Sequence, residues 1–192
     1  MTPALEKYIR NCINISDTDL EKIDSLFEKK NYPKKTILLR DGEICKEESF
    51  IIKGCIKTYF IDKEGQEVIL TFSTENWWVS DIYSFQEQTP SKMFIETIED
   101  TELLLLTPSN KEKLLQTFPA LEKMFRLMVQ RHLHSYQERL FGNIALSAEE
   151  RYEQFLQKYP ALPQRISQHL IASYLGISAE FLSRLRTRKA KK

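Results

Sequence analysis

The chain has 192 residues, of which 42% are hydrophobic and 29% charged, with a formal net charge of +1. That is the composition of a folded globular protein, long enough for one sizeable core and a smaller satellite. No run approaches the ~20 apolar residues that a bilayer-spanning helix needs, and a balanced overall charge says nothing about partners.

Charge distribution says more. From Arg165 to Lys192 the chain carries Arg165, Arg184, Arg186, Arg188, Lys189, Lys191 and Lys192 against Glu180 alone, a local +6. A basic terminal module of this kind suits a polyanionic partner. The N-terminal stretch MTPALEKYIRNC has no basic start leading into an apolar core, so it is not read as a secretory signal. Three scattered cysteines, Cys12, Cys45 and Cys55, have no paired spacing and fit a reducing compartment. The expected location is cytoplasmic, without membrane attachment.

In chain order, Leu5, Tyr8 and Ile9, then Leu20, Ile23, Leu26 and Phe27, recur at helical spacing, with Ser16 placed to cap the second helix. From Tyr32 the pattern becomes β-rich. "TILLRDGEICKEESFIIKGCIKTYFIDKEGQEVILTF" breaks at Asp41-Gly42, Lys53-Gly54 and Glu64-Gly65, as in an antiparallel sandwich or roll. Cys45 and Cys55 are expected within strands. Residues 73–89 read as a loop with about one helical turn, and "KMFIETIEDTELLLLTP" as two strands turning at Glu99-Asp100.

Pro108 closes the strand region, and a short helix over Asn110–Thr117 follows. Pro119 is placed in the first turn of a long helix. On that helix Leu121, Phe125, Met128, Val129, Leu133, Tyr136 and Leu140 form an apolar stripe, suited to packing on the roll or to pairing with a second copy. Ser147 opens a helix with Glu149 and Glu150 in its first turn, running to Tyr159, and residues 160–163 read as a break. A hinge is expected near Phe141 to Ala145.

The last segment, "RISQHLIASYLGISAEFLSRLRTR", reads as a helix-turn-helix. Ser167 caps the first helix, and Leu170, Ile171, Ala172 and Leu175 face inward. Gly176 takes the left-handed turn, Ile177 plugs it, and Ser178 caps a basic second helix whose Leu182 and Leu185 are buried.

This order of parts, and above all "IASYLGISAEFLSRLR", resembles the cyclic-AMP receptor protein and fumarate–nitrate regulator (Crp/Fnr) family of bacterial transcription factors over nearly the whole chain. The resemblance implies an α+β fold. It comprises an N-terminal antiparallel β-roll (a cyclic-nucleotide-binding-like jelly roll) with flanking helices, a long dimerisation helix, and a C-terminal helix-turn-helix with its wing absent or truncated. The expected division is a sensor domain over 1–118, a dimerisation helix over 119–141 and a DNA-binding domain over 142–192. The expected partners are double-stranded DNA, a second copy of the chain through helix 119–141, and RNA polymerase as a further candidate.

By position the family's base- and phosphate-facing residues are Glu180, Ser183 and Arg184, on a recognition helix over about 178–188. The family's arginine just before the acidic residue is Ala179 here, so one base contact is missing. Arg184 can fork onto guanine and Glu180 can accept from a cytosine amino group, while Ser178 meets a phosphate. Arg186, Arg188 and Lys189 would add affinity without reading sequence. His169 is read as a surface or phosphate contact.

Cyclic-nucleotide-binding members carry Gly-Glu near the start of a phosphate cassette and Arg-Ser or Arg-Thr near its end. Here Val79-Ser80-Asp81 and Ser91-Lys92 stand in those regions. Lysine lacks arginine's bidentate fork, so cyclic AMP is disfavoured. Trp77, Trp78, Asp81 and Lys92 are the candidate effector-pocket residues, for an unidentified small molecule or none. No cofactor or metal is expected: the cysteines are spread out, and His132 and His134 point to different faces of their helix. No phosphate loop, nucleophile elbow or His-Glu-x-x-His pattern marks an enzyme. The alternative to a DNA-binding regulator is a non-enzymatic interaction or sensing scaffold whose helix-turn-helix is only a packing unit.

Overall fold

The computed structural model describes residues 1–190, with side chains as far as Arg188. The side chain of Lys189, and Lys191 and Lys192, lie outside the described residues. The chain divides into two compact units. The first is Met1–Phe60 with Thr71–Arg131, and the second is Ile61–Leu70 with the chain from His132 onward.

In the first unit, α1 (Pro3–Cys12) and α2 (Asp17–Asp24) precede the strands, and Ser16 Oγ caps α2 by accepting from the Asp19 N–H at 3.1 Å. Eight strands follow: β1 (Glu28–Tyr32), β2 (Ile37–Leu39), β3 (Glu48–Lys53), β4 (Ile56–Ile61), β5 (Glu67–Ser73), β6 (Trp78–Val79), β7 (Phe94–Thr97) and β8 (Thr101–Leu106). They form two four-stranded sheets, ordered β1-β8-β3-β6 and β2-β7-β4-β5. The strand β5 crosses the unit boundary at Leu70.

Side-chain alternation decides what each face does. Ile51, Leu103, Leu105 and Val79 of the first sheet meet Leu39, Ile56 and Ile95 of the second, which makes the roll interior. The opposite face of the first sheet offers Phe50, Leu104, Leu106 and Trp78 to a helical layer. That layer comprises α1, α2, α4 (Pro108–Thr117) and the first turns of α5 (Leu121–Ala145). A sheet buried on both faces reads as an unbroken apolar run, which is why "ELLLL" lacks a polar partner at every second place.

Two buried ion pairs interrupt this apolar packing. Lys57 and Glu96 face each other across β4 and β7, with Nζ to Oε2 at 3.2 Å, and the Tyr59 hydroxyl donates to the same oxygen at 3.0 Å. Lys111 Nζ lies 2.7 Å from Glu48 Oε2, where Glu48 is only 1% exposed. Among the described residues no hydrogen-bond donor reaches the Glu48 carboxylate, so this ion pair is what offsets its burial. The ammonium also lies over the Phe125 ring at 4.5 Å.

In the second unit, the later turns of α5 are followed by α6 (Ala148–Lys158), α7 (Leu162–Arg165), α8 (Gln168–Leu175) and α9 (Ala179–Ala190). A capping box joins Ser147 and Glu150 at the start of α6. Phe155, Tyr159 and Tyr174 cluster with ring centroids 5.4 to 6.1 Å apart. The tip of the β4–β5 hairpin belongs to this unit. Ser173 Oγ donates to the Glu67 carbonyl at 2.7 Å and accepts from the Ile69 N–H at 3.2 Å.

Several expectations are corrected. Cys45 and Cys55 lie in connecting segments, not strands, although both are buried. Residues 73–89 hold a strand, β6, where a loop was expected, because Ser49 and Phe50 pair with Val79 and Trp78 from a distance; the helical turn expected there is α3 (Ile82–Glu87). Pro163 stands inside α7 rather than in a plain break, in a first turn that needs no N–H from it. The long helix begins at Leu121 and is helical throughout 141–145, where a hinge was expected. Leu170 is only half-buried.

Gly54, between β3 and β4, has φ +113°, and a Cβ there would fall 2.4 Å from Thr101 Oγ1 and 2.8 Å from Thr101 Cα. Gly54→Ala is therefore expected to destabilise the first unit by roughly 3 kcal/mol. Urea unfolding followed by tryptophan fluorescence reports it, since Trp77 and Trp78 both belong to this unit. Lys111→Ala strands a buried carboxylate and should cost about 3 kcal/mol in the same assay. Lys111→Met combined with Glu48→Met should recover most of that loss. A double variant no better than the single one would show that the site needs charge for its shape.

Candidate nucleic-acid interface and roll cavity

The helix-turn-helix is assembled by local chemistry. Ser167 Oγ accepts from the Leu170 N–H at 3.4 Å and starts α8. Gly176, at φ 65°, ends it in the left-handed conformation and its N–H returns to the Ser173 carbonyl at 3.2 Å. The Ile177 N–H reaches the Ala172 carbonyl at 3.1 Å, and Ser178 Oγ accepts from the Phe181 N–H at 3.1 Å to open α9. Ala172, Leu175, Leu182 and Leu185 are buried, so the inward face of α9 is fixed and its outward face follows.

Glu180, Ser183, Arg184, Thr187 and Arg188 are all exposed, and their spacing of three and four residues aligns them along one side of α9. Arg186 is half-buried and falls beside Leu182 and Leu185, off that side. His169 is exposed in the first turn of α8. The Glu180 carboxyl is held below the usual carboxylate range, chiefly by its own backbone N–H, then by the Ser178 hydroxyl and by Arg184. It is thus a pure acceptor at neutral pH.

Phe181, 40% exposed, escaped the sequence reading. Its ring lies 5.8 Å from the Arg184 guanidinium carbon and shares the outward face. An apolar residue beside buried Leu182 gives no sequence signal that it points outward.

On α5 the apolar stripe splits in two. Leu121, Met124, Phe125 and Met128 are buried in the first unit, whereas Val129, Leu133, Tyr136, Leu140 and Ile144 are exposed. The exposed set recurs every three or four residues, the spacing of a coiled-coil seam.

Within the roll, a cavity of about 550 Å³ is lined by Leu38, Leu39, Glu43, Ile44, Cys45, Lys46, Glu47, Ser49, Val79 and Ile95. The four residues singled out from sequence sit elsewhere. Trp78 is core, packed against Phe50 at 5.5 Å, Phe125 at 5.7 Å and Tyr8 at 6.4 Å. Trp77 is half-buried, its backbone engaged with Ile51 and Thr74. Lys92 is exposed.

Asp81 is buried and fully engaged. Its Oδ1 caps α3 by accepting from the Ser84 N–H at 3.1 Å, and its Oδ2 accepts from the Ser91 hydroxyl at 2.8 Å. Ser84 Oγ in turn accepts from the Cys45 N–H at 2.9 Å and donates to the Thr89 carbonyl at 2.6 Å. Burial pushes the Cys45 thiol up, which disfavours its thiolate form. Among the described residues, no group of three or more His, Cys, Asp or Glu side chains is placed to hold a metal ion. Among the described residues no helix is long and apolar enough to cross a membrane.

Residues 29–118 match the family model of the cyclic nucleotide-binding domain. The chain is 23% identical over 165 residues to the cAMP-activated global transcriptional regulator CRP of Shigella flexneri, covering 80% of this chain and 78% of that protein. It is 25% identical over 183 residues to the anaerobic regulatory protein of Haemophilus influenzae, covering 89% and 70%. The fold matches that of the c-di-GMP-responsive global regulator CLP of Xanthomonas campestris with a TM-score of 0.74, at 17% identity over 92% of each chain. With a match to the cyclic nucleotide-binding domain over residues 29–118, then a long helix and a helix-turn-helix in this order, the chain is similar to these transcription regulators along most of its length.

Proposed function

We propose that the protein is a homodimeric, sequence-specific regulator that reads an inverted repeat with α9 and is tuned, if at all, by a ligand other than cyclic AMP. The observation that carries this reading is the outward face of α9, where Glu180, Ser183, Arg184, Thr187 and Arg188 are exposed above a buried Leu182 and Leu185. Arg184 presents its fork to guanine O6 and N7, Glu180 accepts from a cytosine amino group, and Phe181 offers an apolar contact for a thymine methyl. Ser178 with the first-turn N–H groups of α9, and His169, approach backbone phosphates. Arg186, Arg188 and Lys189 add charge that any sequence satisfies.

The seam of Val129, Leu133, Tyr136 and Leu140 supplies the dimer, because an exposed stripe at this spacing is satisfied by its own copy in register. Pairing two such helices sets the recognition helices about one duplex turn (~34 Å) apart. In functional terms residues 1–118 would sense, 119–141 dimerise and 142–192 bind DNA, with RNA polymerase a candidate further partner.

Relatives include a cAMP-activated and a c-di-GMP-responsive regulator. In this chain the acid and the hydroxyl that flank the cassette, Asp81 and Ser91, bond to each other. The roll cavity carries Glu43 and Glu47 against Lys46 alone and no arginine, a poor setting for a cyclic phosphate. Its apolar walls, Leu38, Leu39, Ile44, Val79 and Ile95, suit a neutral or cationic effector instead.

Selection from random duplexes near 0.15 M salt tests the whole reading: an enriched inverted repeat supports it, and weak uniform binding favours an interaction scaffold. Arg184→Ala is expected to lose roughly 1–3 kcal/mol of discrimination at one base pair. Competition titrations with half-site variants measure this, and equal losses on specific and random DNA would remove Arg184 from base readout. Leu133→Asp with Leu140→Asp should convert the dimer to a monomer in sedimentation and weaken operator binding at least tenfold. A dimer that survives both changes would move the interface elsewhere.

A further inference from the structure

A second cavity, of about 370 Å³, is built entirely from the second unit, between the end of α5, α6 and α8. Its lining brings together three cations from separate places in the chain, Arg139, Arg151 and Lys158, with Tyr174, Gln154 and a single carboxylate, Glu138.

None of the three cations is ion-paired within 4 Å among the described residues. Arg139 Nη2 donates to two backbone carbonyls, those of Ile69 at 2.6 Å and Tyr174 at 3.1 Å, and its guanidinium lies 4.3 Å from the Tyr174 ring centroid. A guanidinium has five N–H donors, so most of its capacity is left over. Arg151 gives one bond, from Nη1 to the Leu146 carbonyl at 3.0 Å, while its buried Nε has no acceptor among the described residues. Lys158 Nζ donates to Ser135 Oγ at 2.5 Å, and two of its hydrogens are uncommitted. Glu138 is engaged with His134 at 3.3 Å. Burial lowers the pKa of both Arg139 and Lys158, the mark of charge held out of water without a full counter-charge.

The lining therefore sums to two positive charges in a partly enclosed space with a surplus of donors. A phosphate monoester, near two negative charges at neutral pH and rich in acceptors, matches both quantities. Two planar forks suit tetrahedral oxyanions better than lysines alone would. Gly142 keeps one wall open, because a Cβ there would meet Gln154 Oε1 at 3.2 Å. The recognition-face residues Glu180, Ser183 and Arg184 take no part in the lining.

We propose that this cavity binds a small phosphorylated molecule, with Arg139, Arg151 and Lys158 holding the phosphate and Tyr174 and Gln154 flanking the body. The site lies in the DNA-binding unit and is made of residues that neither line the roll cavity nor face a duplex in the reading above. Because Arg139 also grips the Ile69 carbonyl, occupancy would draw on the same guanidinium that ties the β4–β5 hairpin tip to α8.

The test uses the full chain in phosphate-free buffer, with inorganic phosphate, glucose 6-phosphate and succinate as probes, read by calorimetry and thermal unfolding. Both phosphates should bind saturably, glucose 6-phosphate more tightly and succinate at least tenfold more weakly. Arg151→Gln and Lys158→Gln should each weaken phosphate binding tenfold or more, while Lys123→Gln, an exposed lysine of the first unit, should not. Circular dichroism confirms that each variant is folded. Should one fail to fold, the other decides the matter. Three outcomes overturn the proposal: no saturable phosphate binding, binding unchanged in the folded cavity variants, or succinate binding as tightly as phosphate. Loss of phosphate binding when duplex DNA is added would likewise overturn it, since the cations would then belong to the DNA contact.

Discussion

The structure hangs on one apolar stripe that a single helix carries through two environments. In its first turns α5 buries Leu121, Met124, Phe125 and Met128 beside Trp78 and Phe50, closing the outer face of the first sheet. Beyond Met128 the stripe continues without loss of period, but Val129, Leu133, Tyr136 and Leu140 are left in solvent. At about 25 cal/mol for each Å² removed from water, side chains of this size give a strong incentive for association. A helix cannot bend away from that demand without breaking its hydrogen-bond ladder, and α5 is helical throughout Leu121–Ala145. One helix thus carries both the packing of the first unit and an exposed apolar face of the same period.

How much of this was legible depended on whether the cause was local. Ser16, Ser147, Ser167 and Ser178 could be named as caps because a cap is a bond between residues three places apart. Gly42, Gly54, Gly65 and Gly176 marked turns and all adopt positive φ. By contrast, the two-residue strand β6 exists only through its pairing with Ser49 and Phe50, and no window around Trp78 contains that information. Cys45 and Cys55 looked like strand residues because their neighbours are β-rich, yet each sits where the chain turns between strands. The period of α5 was plain, but the residue at which burial gives way to solvent was not.

The sites divide along the same line. Glu180, Ser183 and Arg184 are picked out by the resemblance of "IASYLGISAEFLSRLR" to the family's recognition motif, and with Leu182 and Leu185 buried all three are exposed on α9. The roll cavity could not be picked out, since its walls come from β2, the 43–47 segment, β3, β6 and β7. Asp81 was noticed for the right chemistry in the wrong relation: its carboxylate is present, but it is bonded to Ser84 and Ser91 within the chain. A polar group satisfied from inside has little left to offer a ligand.

That contrast gives a rule for weighing the buried charges. Lys111 beside Glu48, and Lys57 beside Glu96, are cations whose counter-charge is built into the chain. Their desolvation is offset within the fold, and removing either partner exposes that cost. Arg139, Arg151 and Lys158 are instead held by carbonyls and a hydroxyl, which supply acceptors but no opposite charge. The aromatic cluster of Phe155, Tyr159 and Tyr174 beside them offers ring faces, a partial compensation at best. A fold can afford such an arrangement, but an anion that completes it recovers electrostatic energy that the chain alone does not. Where the counter-charge is internal, the chemistry points to stability; where it is missing, it points to binding.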